Sequence, residues 1–217
     1  MRALVVALVL ATLVQAFIAM ALFAPAVLAP AAQAGIGVAA SFVGMFVSVA
    51  FVAAAFVASL GGGQVVRYGP VRVSQFCLLW TAAGMALFTT GVPLMIVCSA
   101  LAIGLGYGPI TPASSAMLVA RTPQRLRNVV MSIRQSGVPL GGALAGALLP
   151  GLAVAFGWRT AALAVVALCL VMVALLQSMR ARYDGERTGV RQPEHGDRKS
   201  TRLNSSHVVT SRMPSSA

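Results

Sequence analysis

The first 183 residues contain no aspartate, glutamate, histidine or lysine, so arginine alone carries side-chain charge from Met1 to Tyr183. Across all 217 residues, 59% are hydrophobic and 9% are charged. A soluble domain covers its exterior with roughly 25% charged residues. We therefore expect the lipid bilayer to surround this chain. The formal charge of +12 would otherwise favour nucleic acid, but no nucleic-acid partner is expected with this apolar content.

The composition changes sharply after Gly196, where a run rich in serine, threonine and arginine begins and the first lysine, Lys199, appears. Residues 197–217 resemble the translation of a short-read sequencing adapter with its index tag. We interpret them as a disordered artefact, to be excluded from fold reasoning, with a natural disordered tail as the alternative. The segment carries +3, which leaves +9 on the rest. On this interpretation the natural protein continues beyond the cut.

Six segments are long and apolar enough to span a bilayer, which takes about 20 residues. The sequence thus predicts an all-α membrane protein with six transmembrane helices, and an uncleaved first span rather than a signal peptide. An uncharged, proline-rich connection is expected over residues 24–35. The predicted spans are residues 3–23, 36–60, 73–90, 92–119, 128–156 and 160–179.

Within residues 1–196, the arginines outside the spans collect on one side of the predicted membrane. Ten fall on one side, whereas Arg159, beside Trp158, is alone on the other. Because short cytoplasmic loops are enriched in arginine and lysine, this predicts a multi-pass protein of the cytoplasmic (inner) membrane. Both ends of residues 1–196 would be cytoplasmic.

The absence of aspartate, glutamate, histidine and lysine also limits which reactions the chain could catalyse. A metal site needs histidine, cysteine or carboxylate ligands, and a serine nucleophile needs a histidine or lysine base. Before Asp184 the chain offers none of these apart from three isolated cysteines. We expect no enzyme, no metal site and no cofactor. A non-catalytic six-helix membrane assembly subunit remains an alternative to a transporter.

The connection between the second and third spans carries a motif. Gly62, Arg67 and Gly69 follow the spacing G-x-x-x-D-R-x-G, with Arg72 shortly after. This resembles the cytoplasmic gate loop of the major facilitator superfamily of secondary transporters. Val66 stands at the family's aspartate position, and Pro70 and Val71 replace basic residues, so the loop departs from the family's charge relay at that aspartate. A generic glycine-rich turn is the alternative.

The resemblance covers the chain to about Glu194 and implies one six-helix half of a two-half transporter. Residues 1–183 would form the bundle and residues 184–196 the start of a cytoplasmic linker, with a C-terminal six-helix half missing. The implied function is truncated secondary active transport of a small solute by alternating access. With no carboxylate in this half, coupling groups would lie in the missing half, or the protein would be a facilitator or exchanger.

Small residues in the fifth span recur at four-residue spacing, which allows helix backbones to approach closely. They are Gly137 with Gly141, and Gly142 with Gly146. The family's fifth helix is similarly rich in glycine and proline. We expect these four glycines to pack against another helix.

Arg134 is the one charge inside a predicted span. One interpretation is an arginine that faces the translocation cavity and binds an anionic group of the substrate, which favours an organic anion. The other is a side chain that snorkels to the cytoplasmic interface near Arg127. The remaining candidates for the substrate path are polar residues in the spans, namely Gln15, Tyr107, Thr111 and Gln135. Ordinary hydrogen bonding between helices is the alternative for each of them.

Overall fold

The computed structural model describes residues 2–36 and 41–184, and every regular element there is helical. Within these residues, eight α-helices and one short 3-10 turn, Gln124–Leu126, follow each other. They are α1 Arg2–Ile36, α2 Ser41–Tyr68, α3 Pro70–Phe88, α4 Pro93–Tyr107, α5 Ile110–Val119, α6 Arg127–Gln135, α7 Gly137–Phe156 and α8 Trp158–Asp184. Residues 185–196 of the predicted linker and the whole predicted artefact lie outside the described residues.

The helices group into six apolar segments, as predicted. Within the described residues, five are long and apolar enough to cross a membrane, and α2 adds the shorter apolar stretch Val43–Ser59. The five are Leu4–Gln33, Pro70–Phe88, Pro93–Val119, Gln124–Phe156 and Trp158–Ser178. The fold class, an all-α membrane protein, is confirmed.

Two predicted connections are helical instead. Residues 24–35 continue α1 through Pro25 and Pro30, where a connection was expected. Neighbouring helices and local adjustments can satisfy the carbonyls that a proline frees inside a membrane bundle. The expected loop at residues 62–72 is likewise the last part of α2 and the first turn of α3, with Gly69 between them.

In the described part of the chain, three tight turns join consecutive helices through glycines with positive φ, at Gly69 (92°), Gly91 (72°) and Gly157 (86°). This region of φ disfavours residues with a Cβ. After Gly69 and after Val92, a proline at the first helical position starts the next helix with its φ already suitable. The chain therefore reverses between α2 and α3 with one residue outside a helix.

Among the described segments two are interrupted, one at a proline and the other three residues before a proline. The fourth breaks at Gly108–Pro109, between α4 and α5, and the fifth breaks at Ser136, between α6 and α7. Proline lacks an N–H, and its ring clashes with the carbonyl four residues earlier. Pro139 acts in this way on the carbonyl of Gln135, which explains why the predicted continuous fifth span divides there.

The relative directions of the helices follow from their contacts. Gly137 and Gly141 of α7 lie against the backbone of Thr12 and Ala16 in α1, so these two helices run parallel. At the opposite side, the Arg159 Nε donates to the carbonyl of Thr89 at 3.1 Å. This places the start of α8 beside the end of α3, so α3 and α8 are antiparallel.

The interior of the bundle consists mainly of small and aliphatic side chains. Along α1, Ala7, Ala11, Ile18 and Leu22 are almost fully buried. Association of helices in lipid depends on close packing because lipid tails are as apolar as leucine. The alanines and glycines therefore let the helices approach closely.

Candidate functional site

Arg134 lies in the last turn of α6, directly before the break at Ser136. Its side chain is 5% exposed and points into the bundle, towards α5. The Nη1 group donates to the Oγ of Ser114 at 2.7 Å and, at 3.5 Å, to the carbonyl of Thr111. The Nη2 group donates to the Oε1 of Gln135 at 2.9 Å.

The guanidinium is therefore held by neutral oxygens. The Nε of Arg134 is buried and has no hydrogen-bond partner among the described residues. No carboxylate side chain exists anywhere in the first 183 residues. A buried charge normally has an opposite charge beside it, so this arginine retains the capacity to bind an anion.

The Ser114 hydroxyl both donates and accepts a hydrogen bond, and it thereby holds the guanidinium in place. It lies in α5 and is 2% exposed. Its hydroxyl donates to the carbonyl of Ile110 at 2.7 Å, which leaves its oxygen free to accept from Arg134. Sequence reasoning missed Ser114. The available signal was a serine three residues after Thr111, and therefore on the same helix face, in the interrupted span.

Thr111 and Gln135 are exposed, and each contributes an oxygen to the arginine. They lie at the α4–α5 and α6–α7 breaks respectively, so both interruptions border the site. The structure thus brings together three of the predicted path residues, Thr111, Arg134 and Gln135.

Gln15 lies on α1 near the same place. A Cβ built at Gly137, one turn after Arg134, would lie 3.0 Å from the Cβ of Gln15. Gln15 is 1% exposed, and its Oε1 has no hydrogen-bond partner in the described part of the chain. The Gln15 Oε1 acceptor on α1 and the Arg134 Nε donor are thus both buried and unpaired in the described structure, and Gln15 lies against a glycine three residues after the arginine.

Tyr107 is placed differently. It ends α4, and its ring meets that of Phe51 in α2 edge to face, with centroids 5.9 Å apart. None of the described contacts links it to Arg134. It is half-buried and separated from the arginine along the chain by the Gly108–Pro109 break.

The glycines of α7 divide by position. A Cβ at Gly141 would lie 2.8 Å from both the Ala19 Cβ and the Met20 N, and closer still to the Ala16 carbonyl oxygen. A Cβ at Gly142 would reach only ordinary contact with the Phe23 ring, at 3.4 Å. Gly146 is exposed, and a Cβ there would meet nothing within 4 Å. Gly137, Gly141 and Ala145 form the buried stripe, and Gly146 lies one residue off it.

The motif between α2 and α3 has two exposed arginines. Arg67 ends α2 with its guanidinium 5.4 Å from the centre of the Tyr68 ring, and Arg72 lies in the first turn of α3. Gly69 makes the turn, where its N–H donates to the Val65 carbonyl at 3.0 Å. Gly62 is helical, and its surroundings lie outside the described part.

Comparison with known proteins bears on these features. The sequence profile of the Major Facilitator Superfamily matches residues 9–212. This match extends into the predicted adapter segment, so that interpretation stays a prediction. The hexuronate transporter of Bacillus subtilis (strain 168) is 30% identical over 120 residues, which cover 54% of this chain and 28% of the relative. The chain thus matches less than a third of that relative's length.

The apolar helices, the multi-pass arrangement and the matched profile agree with each other. Within this family, proteins move small molecules across membranes and are not enzymes. The chain belongs to the Major Facilitator Superfamily and is a multi-pass protein of the lipid bilayer.

Proposed function

We propose that the chain is the N-terminal half of a transporter that moves a small organic anion by alternating access. The observation that carries this proposal is the buried Arg134, which has neutral partners and one unpaired N–H in the described structure. Arginine near the centre of a membrane helix costs about 2.5–3.5 kcal/mol on the insertion scale. An anionic substrate would supply both the missing charge and the missing acceptor.

A carboxylate suits this arginine chemically. The guanidinium is planar and always charged, and it presents its donors in a fork that matches two carboxylate oxygens. Ser114 and Gln135 hold its Nη groups in defined directions. Thr111 and Gln135 are exposed, so a solute would approach the guanidinium along them.

Gln15 extends the proposal to the rest of the substrate. Its unpaired Oε1 can accept a hydrogen bond but cannot donate one. A hydroxyl of the substrate would satisfy it. A hexuronate, which the Bacillus subtilis relative is named for, has both a carboxylate and hydroxyl groups. We therefore infer a hydroxylated carboxylate as the substrate class.

Alternating access requires two halves that rock around a central site. The missing C-terminal half would close the site opposite α5 and α6, and the coupling groups would lie there. The positive-inside rule supports a cytoplasmic location for the α2–α3 turn, with both ends of residues 1–196 on that side of the cytoplasmic membrane.

The decisive experiment uses the uninterrupted gene, expressed in cells that lack their own hexuronate uptake. We expect uptake of radiolabelled hexuronate, and no uptake of the matching neutral hexose. Arg134→Gln keeps hydrogen-bonding capacity but removes the charge, so it should reduce hexuronate uptake at least tenfold. Arg125→Gln removes an exposed charge outside the site and should leave uptake unchanged.

Two outcomes would contradict this proposal. A natural stop codon near Gly196 would remove the truncated-half interpretation and favour an assembly subunit. Uptake kinetics that are the same in Arg134→Gln and in the parent protein would remove the role of the arginine while leaving the transporter in place.

Orientation can be tested separately with a maleimide that does not cross membranes. In intact spheroplasts of an inner-membrane host, Thr90→Cys should react and Pro123→Cys should react only after the membrane is opened. The parent protein is the control, because its three cysteines lie within the spans. The reverse pattern would place the α2–α3 turn outside the cell.

A further inference from the structure

A cleft of about 850 Å³ lies between α2, α3, α4 and α8, away from the arginine site. Its lining shares no residue with the Arg134 network. The large side chains around it are accessible, with Phe76 55% and Trp80 49% exposed. Exposed apolar side chains of this kind on a membrane bundle are available for contact with lipid tails.

The polar residues of the cleft are concentrated at one end. Arg72 lies in the first turn of α3, and Tyr68 and Gln64 lie in the last two turns of α2. One turn further along α3, the Nε2 of Gln75 donates to the Oε1 of Gln177 in α8 at 3.0 Å. This end of the cleft is therefore level with the α2–α3 turn.

The opposite end is apolar. Phe76 and Trp80 follow Arg72 at four and eight residues, so they lie below it on the same face of α3. Eight residues of helix correspond to about 12 Å, which leads from the headgroup level into the hydrocarbon region. Val57 of α2 and Val173 of α8 continue this apolar lining.

The charge of Arg72 indicates which kind of molecule the cleft would bind. The Arg72 guanidinium is exposed and has no hydrogen-bond or ion-pair partner among the described residues. No carboxylate occurs in the first 183 residues to compete for it. A cationic group above an apolar groove is complementary to an anionic headgroup that carries a long apolar tail. Basic pockets between transmembrane helices on the cytoplasmic side bind lipid headgroups in this way.

We propose that this cleft binds an anionic phospholipid, with its phosphate on Arg72 and an acyl chain along Phe76 and Trp80. Tyr68 and Gln64 would donate to the headgroup oxygens, and the indole of Trp80 would lie beside the chain. The lipid would fill the gap between α2 and α3 and thereby stabilise the turn at Gly69. This site is independent of the proposed substrate.

Native mass spectrometry of the purified full chain in mild detergent tests the proposal. The probes are phosphatidylglycerol and phosphatidylcholine with the same acyl chains. We expect phosphatidylglycerol to be retained at least fivefold more. Arg72→Gln should remove this preference, whereas Arg125→Gln, which also removes an exposed arginine but lies outside the cleft, should keep it. An unchanged preference in Arg72→Gln, or an equal loss in both variants, would overturn the proposal.

Filling the cleft tests the apolar end. Val173→Trp adds bulk between α3 and α8 and should reduce retention of both lipids, with the helix content checked by circular dichroism. Phe76→Tyr changes the lining little in volume and serves as a second variant, which should retain the parent's lipid. Normal lipid retention in a folded Val173→Trp would place the lipid elsewhere and overturn the proposal. So would a dimer that disappears in this variant, because a second copy would then be the occupant.

Discussion

The segment Arg134–Gly141 contacts two neighbours in different ways. Towards α1, Gly137 and Gly141 lie on backbone atoms of that helix, with the side-chain stems of Gln15 and Ala19 beside them. Towards α5, Arg134 makes side-chain hydrogen bonds to Ser114 and to the Thr111 carbonyl. The contact with α1 requires that the two glycines carry no side chain. The contact with α5 requires a few hydrogen bonds of defined direction. The break at Ser136 separates the two.

Under the proposed function, one interrupted span serves packing through α7 and substrate binding through α6. The α1–α7 contact has little capacity to adjust, because backbone atoms oppose backbone atoms. At the α5–α6 contact the guanidinium can exchange one hydrogen-bond acceptor for another. It has five N–H donors, and some of them have only weak acceptors. We therefore expect substitutions at α1–α7 to act on folding and substitutions at α5–α6 to act on substrate affinity.

The largest expected effect is on the packing contact. Gly141→Ala places a Cβ 2.8 Å from the Ala19 Cβ and Met20 N, and neither the α1 backbone nor the α7 backbone can move alone. Overpacking of this kind costs about 1–3 kcal/mol, and Gly141→Leu should prevent stable folding. The midpoint of thermal unfolding in detergent measures the loss of stability in both variants.

Gly146→Ala is the matched control for Gly141→Ala. It adds the same methyl group to the same helix, where nothing lies within 4 Å. Replacement of a helical glycine by alanine should leave stability unchanged or raise it by about 0.5–1 kcal/mol. An equal loss of stability in the two variants would refute the distinction between the stripe and the exposed side.

A smaller effect is expected from the polar contact. Ser114→Ala removes the 2.7 Å hydrogen bond to the Arg134 guanidinium, and bonds to charged groups contribute about 1.5–3 kcal/mol. Because the guanidinium would lose its orientation, KM for the anionic substrate should rise about tenfold in the full-length protein, with less change in kcat.

Ser99→Ala is the control here. Ser99 is also fully buried, but its Oγ has no hydrogen-bond partner in the described structure. Its removal should leave KM unchanged and have little effect on stability. If Ser99→Ala and Ser114→Ala shift KM equally, the hydrogen bond to Arg134 does not determine affinity.

The smallest expected effect concerns the break between the two contacts. Pro139→Ala restores an N–H that can bond to the Gln135 carbonyl, so α6 and α7 should join into one helix. We expect equal or higher thermal stability, and uptake reduced several-fold because Arg134 would rotate relative to Ser114. Thermal stability and uptake should be measured on the same variant. Lower stability with unchanged uptake would show that the break serves helix packing and does not orient Arg134.

Much of the fold was predictable from the sequence. Six apolar segments follow from length and composition, since a bilayer needs about 20 apolar residues and tolerates few charges. The boundaries were less predictable. Residues 24–35 were expected to connect two spans because they contain Pro25 and Pro30, but α1 continues through them. Local propensity favours a break at proline, and the surrounding bundle overrides it.

The candidate site was predictable in part. Arg134 stood out because it is an ionisable residue inside an apolar segment, and its neighbour Gln135 followed from it. Ser114 did not stand out, because serine is common in membrane helices and its role depends on a residue 20 positions away. Gly146 and Gly141 share a sequence pattern, but only one of them faces α1.

The sequence by itself determined that this chain lies in a bilayer and which segments are apolar enough to cross it, and it predicts that the arginines collect on one side. These properties depend on transfer free energies, which add up residue by residue along the chain. The tertiary structure alone decided that Arg134 turns to Ser114, that Gln15 lies against Gly137 and that Arg72 lies at one end of an apolar cleft. Those relations depend on which helices are neighbours, and neighbours are chosen by packing between residues far apart in the chain.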